Sequence, residues 1–297
     1  MRILVTGSEG NVGSELVPYL KEKGHEVLCL DIVQRYRENY ILCDILNLND
    51  AYPVINKFKP QAIYHLAAMV SRVTCEASPA MAISTNIAGV QNIINVAKEY
   101  DALLINFSTS EVYGNNFKLL EEYVDCNPNN IYGLSKYMAE QLVTYYHNDI
   151  KYINVRPFMM YSEHEEMGEN RSAMIRFAEN LIKGKPITVH KEAERGWLHM
   201  SDAVVLFERL LHVEHNITIN IGNPEFLRMC EFADLMCDIA HASKDLINIE
   251  DLPAKMTLSK RASFNLQKSV LGYEPHVHIR EGIYRVITNT KAKLGLK

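Results

Sequence analysis

The stretch RILVTGSEGNVG, residues 2–13, joins a short apolar run to three glycines with the spacing GxxGxxG. The apolar run predicts a buried β-strand, and the amphipathic pattern over 11–23 predicts the helix that follows it. Gly7, Gly10 and Gly13 occupy the turn between them, where glycine permits a tight bend and a close approach of the backbone to a pyrophosphate. The N–H groups and the positive dipole end of the helix favour phosphate at this turn. The stretch therefore predicts a dinucleotide-binding turn, with an ordinary glycine-rich turn as the alternative.

The first half of the chain alternates short apolar runs with helix-length segments. Strands are predicted at 2–6, 26–30, 40–43, 62–67, 103–107 and 151–155, and helices at 11–23, 47–58, 79–100 and 132–148. Strands separated in this way indicate right-handed crossovers and a parallel sheet covered on both faces. The predicted fold class is α/β, a Rossmann-type doubly wound parallel sheet with a smaller C-terminal α/β substrate-binding lobe.

The pattern becomes less regular after Pro157, where an acidic loop at 162–170 precedes further helices and a strand at 216–222. We expect an NAD-binding Rossmann domain over 1–160, to which 195–222 returns. The substrate-binding lobe is expected to comprise 161–194 and 223–297. It would lie over the carboxyl edge of the sheet, where open α/β folds bind their ligands.

The composition limits the classes of partner. Of the 297 residues, 47% are hydrophobic and 23% are charged, and the formal net charge is -5. That balance argues against affinity for nucleic acid or anionic membrane surfaces. No apolar run approaches the ~20 residues of a membrane helix. The six cysteines form no CxxC pair and the His212/His215 spacing lacks a third ligand, so we expect no metal site and a cytoplasmic protein.

An acid follows the second predicted strand at the position where a ribose is usually bound. Asp31 lies about 20 residues beyond the glycine turn, where a carboxylate accepts hydrogen bonds from the adenosine ribose hydroxyls. Because it repels a 2′-phosphate, it favours NAD over NADP, although Arg35 and Arg37 lie close enough to oppose that preference. Asp44, after the third strand, is interpreted as an adenine contact, with capping of the next helix as the alternative.

Tyr132 and Lys136, in YGLSK, are four residues apart and so share one face of a helix. A tyrosine with a pKa of ~10 is a poor base at neutral pH. A neighbouring ammonium and a positive nicotinamide ring would lower that pKa. The lysine would also hold the nicotinamide ribose. A surface lysine beside a packed aromatic ring is the alternative.

Nine segments together carry a family resemblance. They are TGSEGNVG (6–13), Asp31, HLAA (65–68), TNIAG (85–89), STSEVYG (108–114), YGLSK (132–136), RP (156–157), RGWLHMSDAV (195–204) and LGYEP (271–275). In this order they resemble the extended short-chain dehydrogenase/reductase family, and within it the NAD-dependent sugar-nucleotide epimerases, dehydratases and decarboxylases.

The resemblance implies NAD as cofactor, a nucleotide-sugar substrate, and a homodimer formed through the helices near 79–100 and 132–148. The residues that it places around NAD are Gly7, Gly10, Asn11, Val12, Gly13, Asp31, Asp44, Ile45, Leu66, Ala67, Ala68, Tyr132 and Lys136.

The resemblance also assigns roles to the triplet that ends the fifth strand. Thr109 would hydrogen-bond the sugar C4 hydroxyl while Tyr132 removes its proton and the C4 hydride passes to NAD. Ser110 and Glu111 match positions that act next in dehydratases and decarboxylases, and Glu111 would abstract the C5 proton. A solvated strand-end acid is the alternative for Glu111. A 4,6-dehydratase reaction is favoured, ahead of 4-epimerisation and then decarboxylation, with a non-catalytic nucleotide-binding regulator or a non-sugar carbonyl reductase as further alternatives.

Arg195 and Arg261 match arginines that grip the nucleotide or its diphosphate, a task suited to paired guanidinium hydrogen bonds. The chain departs from the family where it reads RPFMMYSEHEE, because Met159 or a neighbour replaces an expected asparagine. Glu163, Glu165 and Glu166 follow, and they would repel a phosphate if they faced it. The sequence leaves open whether this loop faces solvent or serves an unusual substrate.

Overall fold

The computed structural model describes residues 1–116, 118–168, 172–191, 193–252, 257 and 259–296. Within these ranges the strands are β1 Arg2–Thr6, β2 Glu26–Asp31, β3 Tyr40–Leu42, β4 Ala62–His65, β5 Leu103–Phe107, β6 Tyr152–Pro157, β7 Met159–Tyr161, β8 Ile187–His190, β9 Glu194–His199, β10 Ile217–Ile221, β11 Phe226–Arg228 and β12 Ile247–Glu250.

The α-helices are α1 Gly13–Glu22, α2 Tyr52–Phe58, α3 Arg72–Ala77, α4 Pro79–Ile83, α5 Gly89–Tyr100, α6 Ile131–Tyr145, α7 Ala173–Ile182, α8 Met200–Arg209, α9 Met229–Ala240, α10 Asn265–Leu271 and α11 Ile279–Lys293. A π-helical segment, Ser84–Ala88, joins α4 to α5, and short 3-10 helices span Ser110–Tyr113, Leu210–His212 and Lys244–Leu246.

Seven parallel strands form the central sheet in the order β10-β6-β5-β4-β1-β2-β3. Helices cover both faces, one apolar core including side chains of α1 and α8 and the other side chains of α2, α5 and α6. This confirms the predicted Rossmann-type fold. Burial on both faces explains why strands such as ILV and VLCL are apolar at every position rather than alternating.

The parallel register aligns the ends of the central strands at one edge. Thr6 of β1 pairs with His65 of β4, which pairs in turn with Asn106 of β5. The segments after β1, β2, β4 and β5 therefore meet at this carboxyl edge. They carry the glycine turn, Asp31, HLAA and the Thr-Ser-Glu triplet.

The remaining strands form two small sheets, β11-β9-β7 and β12-β8. They contribute to a separate apolar core with α7, α9 and α11. Strand β10 returns to the central sheet, but β9 pairs with β7 and β11 instead. The domain division itself stays a prediction. Within the described ranges, no helix has the length and apolarity needed to cross a membrane.

Candidate active site

The glycine turn and the end of β2 meet at the carboxyl edge. Gly7 N–H donates to the carbonyl of Leu30 over 2.8 Å, which fixes the turn against β2. Asp31, 7% exposed, accepts the N–H of Glu9 on Oδ2 (2.9 Å) and that of Val33 on Oδ1 (3.0 Å). A carboxylate held by two backbone donors keeps lone pairs for other donors. Asp31 is therefore oriented as a ribose acceptor needs to be.

Glycine is required in the turn because backbone segments touch there. A Cβ on Gly7, where φ is 71°, would lie 2.6 Å from the N atom of Ala67. A Cβ on Gly13, the first residue of α1, would lie 2.4 Å from the Gly7 carbonyl oxygen. The bare backbone, the helix start and the adjacent acid fit a dinucleotide such as NAD.

The HLAA segment is anchored to β1 beside this turn. Thr6 Oγ1 lies 2.8 Å from His65 Nδ1 and accepts the N–H of Ala67 over 3.3 Å. Burial lowers the pKa of His65 to about 3, so the imidazole stays neutral. His65 thus serves as a structural residue at the edge.

The other expected cofactor contacts differ in exposure. Ile45 is buried at 3%, Val12, Leu66, Ala67 and Ala68 are partly exposed, and Asn11 is exposed. Asp44 is exposed, and its Oδ1 accepts the N–H of Leu46 over 2.9 Å, so the carboxylate closes the turn after β3. The contacts of these residues with NAD stay predictions.

The triplet after β5 is brought to the start of α6 by two contacts. Asn130, the N-cap of α6, accepts the N–H of Gly133 on Oδ1 (2.9 Å) and donates through Nδ2 to Glu111 Oε2 (3.1 Å). A Cβ on Gly133 would lie 2.7 Å from the Glu111 carbonyl oxygen. The Asn-x-x-Gly spacing therefore lets Tyr132 approach Thr109 and Glu111.

Tyr132 and Lys136 lie on the face of α6 that meets the triplet. Tyr132 is partly exposed and Lys136 is 2% exposed. Burial raises the pKa of Tyr132 to about 12, and hydrogen bonding with the Thr109 hydroxyl opposes that rise. Burial lowers the pKa of Lys136 to about 8. Thr109 and Tyr132 are thus placed to share a proton, as a C4 hydroxyl bound between them would require.

Glu111 lies in a buried polar cluster that the sequence did not predict. Lys260 Nζ donates to Glu111 Oε1 over 2.5 Å and to Ser110 Oγ over 3.2 Å. Thr257 Oγ1 lies 3.5 Å from Glu111 Oε2. Burial would raise the pKa of Glu111, but the Lys260 ammonium outweighs it and the pKa falls to about 2. Glu111 is therefore an ionised, weakly basic carboxylate in this arrangement.

Two arginines add positive charge to this cluster. Arg72 on α3 lowers the Glu111 pKa, and burial lowers the pKa of Arg195 to about 10 while Glu111 raises it. Arg195 is 8% exposed and donates to the carbonyls of Glu194 (2.7 Å) and Thr257 (2.5 Å). Burial also lowers the pKa of Lys260.

Arg261 occupies a different environment from Arg195. Its side chain is 60% exposed, its Nη2 lies 3.4 Å from Glu194 Oε1, and its guanidinium lies 5.9 Å from the centre of the Phe226 ring. Arg195 contacts the buried cluster, whereas Arg261 lies at the surface. The substrate contacts of both arginines stay predictions.

The described carboxylates of the acidic loop are largely bound by other protein groups. Glu163 Oε2 lies 2.8 Å from His199 Nε2, a hydrogen bond that lowers the Glu163 pKa to about 2. Glu165 accepts the N–H and hydroxyl of Ser172 (3.0 and 2.7 Å), and its carbonyl accepts Lys293 Nζ (2.9 Å). Glu163 and Glu165 are therefore held by contacts within the protein. Residues 169 and 170 lie outside the described residues.

A second buried network supports α6. Arg156 donates to both oxygens of Glu140, one turn after Lys136, and to the hydroxyl of Tyr113 (2.9 Å). Tyr113 in turn donates to Asn220 Oδ1 of β10 over 2.7 Å. The RP segment therefore ties α6 to the loop after β5 and to the returning strand.

Three site residues were missed from the sequence. Asn130 was detectable, because an asparagine just before a helical pattern is a common N-cap. Arg72 and Lys260 gave no local signal, since nothing near either residue indicates a carboxylate partner. Within the described part of the chain, no group of three or more histidine, cysteine, aspartate or glutamate side chains is placed to hold a metal ion.

The sequence was compared with protein families and with known proteins. The family model of the NAD dependent epimerase/dehydratase family matches residues 3–222. UDP-glucuronic acid decarboxylase 6 of Arabidopsis thaliana is 28% identical over 314 residues, covering 100% of this chain and 90% of that protein. UDP-glucuronic acid decarboxylase 1 of Danio rerio is 28% identical over 305 residues, covering 96% of this chain and 72% of that protein.

Solved structures share the fold. UDP-glucose 4-epimerase of Thermotoga maritima, determined with UDP-glucose, superposes with a TM-score of 0.92 at 23% identity, covering 99% of this chain and all of that one. The dTDP-glucose 4,6-dehydratase of Streptomyces venezuelae, determined with NAD, gives 0.89 at 22% identity, covering 99% and 98% of the two chains. One architecture therefore accommodates different outcomes at the sugar.

Proposed function

The chain belongs to the NAD-dependent epimerase/dehydratase family, and we propose that it oxidises C4 of a nucleotide-linked uronic acid and then decarboxylates it. The protein is an enzyme of the NAD-dependent sugar-nucleotide epimerase, dehydratase and decarboxylase group, with NAD as its cofactor. The sugar and the fate of its C6 group are the proposed part.

The observation that carries the proposal is the charge around Glu111. Lys260, Arg72 and Arg195 all act electrostatically on this single carboxylate, next to the Thr109 and Tyr132 hydroxyls. Three cationic side chains therefore act on this one carboxylate. Buried positive charge is stabilised when an anion joins it. A carboxylate at C6 of the sugar is an anion of suitable size and position.

The first step is a proton transfer made by the side chains after β5 and on α6. The C4 hydroxyl binds between Thr109 and Tyr132, and its proton passes to the phenolate of Tyr132. When bound, NAD would supply the acceptor and later the donor for the C4 hydride. Lys136, buried on the same helix face as Tyr132, would hold the nicotinamide ribose.

The second step needs no base at C5. A 4-keto sugar with a carboxylate at C6 is a β-keto acid, so the C5–C6 bond breaks, its electron pair forms a C4=C5 double bond, and the carbonyl π pair moves onto the C4 oxygen. Thr109 and protonated Tyr132 stabilise the enolate with their hydroxyls. CO2 leaves, and C5 takes a proton from Lys260, which solvent then replaces. Burial lowers the Lys260 pKa, which makes it a stronger acid than a free lysine.

The sequence favoured dehydration, whereas the environment of Glu111 supports decarboxylation. Dehydration requires Glu111 to remove the C5 proton, but a carboxylate with a pKa of about 2 is a weak base. Epimerisation requires no chemistry from the cations around Glu111, which are Lys260, Arg72 and Arg195. The names of the Arabidopsis and zebrafish relatives support the same choice.

Product analysis tests the proposal. The protein and NAD are incubated in D2O with UDP-, GDP-, dTDP- and CDP-linked hexoses and uronic acids, and products are examined by mass spectrometry and NMR. We expect a uronic acid to lose CO2 and gain one deuterium at C5. Loss of water from a hexose would instead establish a dehydratase, and an inverted centre at unchanged composition would establish an epimerase.

A further inference from the structure

Glu9 lies in the middle of the glycine turn, beside the expected ribose position. Its backbone N–H donates to Asp31 Oδ2 over 2.9 Å, so the residue lies directly beside the acid that selects the adenosine ribose. Its side chain is 11% exposed. Neither the glycine spacing nor the role of Asp31 requires a glutamate at this position.

The Glu9 carboxylate binds both arginines of the segment after β2. Arg35 Nε donates to Oε2 over 2.8 Å, and Arg37 Nη2 donates to Oε1. The Arg37 guanidinium also lies 5.0 Å from the centre of the Tyr40 ring. In the sequence, Arg35 and Arg37 oppose the preference for NAD that Asp31 indicates. In the structure, the second carboxylate, that of Glu9, binds both arginines.

We propose that Glu9 determines cofactor specificity by occupying Arg35 and Arg37, which would otherwise bind the 2′-phosphate of NADP. Two carboxylates, Asp31 and Glu9, balance two guanidinium groups at the ribose. The neutral 2′-hydroxyl of NAD suits this balanced set, whereas a 2′-phosphate would add negative charge and meet arginines whose donors are occupied. Arginine is well suited to binding phosphate with paired hydrogen bonds. Arg35 and Arg37 could therefore bind a phosphate, but Glu9 occupies their donors.

The inference rests on the proposed placement of the adenosine ribose at Asp31 and not on the sugar reaction. A purely structural role for Glu9 gives a different expectation. If Glu9 only anchors the segment 32–39, its neutralisation weakens NAD and NADP equally. If it blocks a phosphate site, its neutralisation strengthens NADP alone.

Equilibrium binding separates these roles. Nucleotide-depleted wild type and Glu9→Gln are titrated calorimetrically with NAD and with NADP at one ionic strength. Glu38→Gln is the matched control, because it removes the same charge from the segment that carries Arg35 and Arg37, and the described residues include no ion-pair partner for Glu38. The triple variant Glu9→Gln/Arg35→Ala/Arg37→Ala tests whether the arginines carry the effect.

We expect Glu9→Gln to bind NADP roughly tenfold more tightly than wild type, a change of about 1.4 kcal/mol, with NAD affinity within about twofold of wild type. The triple variant should lose that gain, and Glu38→Gln should leave both affinities unchanged. An unchanged NADP affinity, an equal loss for both nucleotides, or a wild-type protein that binds neither nucleotide would overturn the proposal. Sugar turnover plays no part in this readout, so the decarboxylase proposal and this one fail separately.

Discussion

Replacing Lys260 by methionine isolates the ion pair on which the proposed function depends. The substitution keeps an unbranched apolar side chain but removes the ammonium that lies 2.5 Å from Glu111 Oε1. Only 4% of the Lys260 side chain and 11% of the Glu111 side chain are exposed. Glu111 would then retain only Asn130 and Thr257 as described hydrogen-bond donors to its carboxylate.

The magnitude follows from the Glu111 pKa. Its fall from 4.5 to about 2 corresponds to about 3.4 kcal/mol, at about 1.36 kcal/mol per pKa unit. Breaking a buried ion pair by removing one partner costs about 3–5 kcal/mol. Relief of the Lys260 desolvation offsets part of this, so we expect Lys260→Met to lower the free energy of unfolding at pH 7 by about 2–3 kcal/mol.

The pH dependence gives the sign of the effect. Because the folded-state pKa of Glu111 is lowered, its stabilisation is fully present above the unfolded pKa of 4.5 and is lost as the pH falls toward 2. The difference between wild type and Lys260→Met should therefore shrink by about 0.8 kcal/mol between pH 7 and pH 4. Urea unfolding followed by circular dichroism at both pH values measures it.

Two controls accompany this measurement. Lys183→Met removes an equally short ion pair, 2.5 Å from Glu179, but at the surface. It should cost less than about 0.5 kcal/mol. Glu111→Gln/Lys260→Met should recover most of the lost stability, because no unpaired charge remains. A Lys260→Met protein as stable as wild type at pH 7, or a stability difference that does not vary with pH, would refute the reasoning.

Two further predictions concern catalysis and assembly. Tyr132→Phe should abolish sugar turnover, while its NAD affinity, measured by calorimetry, stays within about twofold of wild type. The kcat/KM of wild type should rise with pH, because the phenolate is the base and burial raises the pKa of the phenol. Full activity in Tyr132→Phe, or a rate that falls as pH rises from neutral, would contradict this role. The homodimer expected through the helices near 79–100 and 132–148 would cover the exposed side chains of Met81 (63%), Met138 (43%) and Tyr145 (78%). Sedimentation should give twice the 33.9 kDa chain mass for wild type and one chain mass for Met138→Lys, whereas a monomeric wild type would refute the expectation.

The central strands and the cofactor turn were predictable because their signals are local. The apolar runs at 2–6 and 103–107 match β1 and β5 at both ends, and the run at 26–30 ends one residue before β2 does. The single helix predicted over 79–100 is wrong in its middle, where a π-helical segment separates α4 from α5. There Asn86 turns its side chain to the backbone of Met69 and to Ser135 of α6. A hydrophobic pattern does not indicate such a polar side-chain contact.

The chemistry around Glu111 was not predictable from the sequence. Lys260 is 149 residues away along the chain and meets Glu111 where residues 259–264 pair with the segment after β5, as in the bridge between Leu120 and Ala262. Likewise β7, β9 and β11 pair across long separations, and β7 and β11 have only three residues each. The sequence motif therefore identified Glu111, but it gave no sign of the Lys260 ion pair that lowers its pKa.

The most direct test of the account is the fate of C6. UDP-glucuronic acid labelled with 13C at C6 is incubated with the protein and NAD, and labelled CO2 is measured with wild type and with Tyr132→Phe. The account predicts that wild type releases the label as CO2 and leaves a pentose nucleotide, and that Tyr132→Phe releases none. A labelled carbon that stays in the sugar while its C4 or C5 configuration inverts would contradict it.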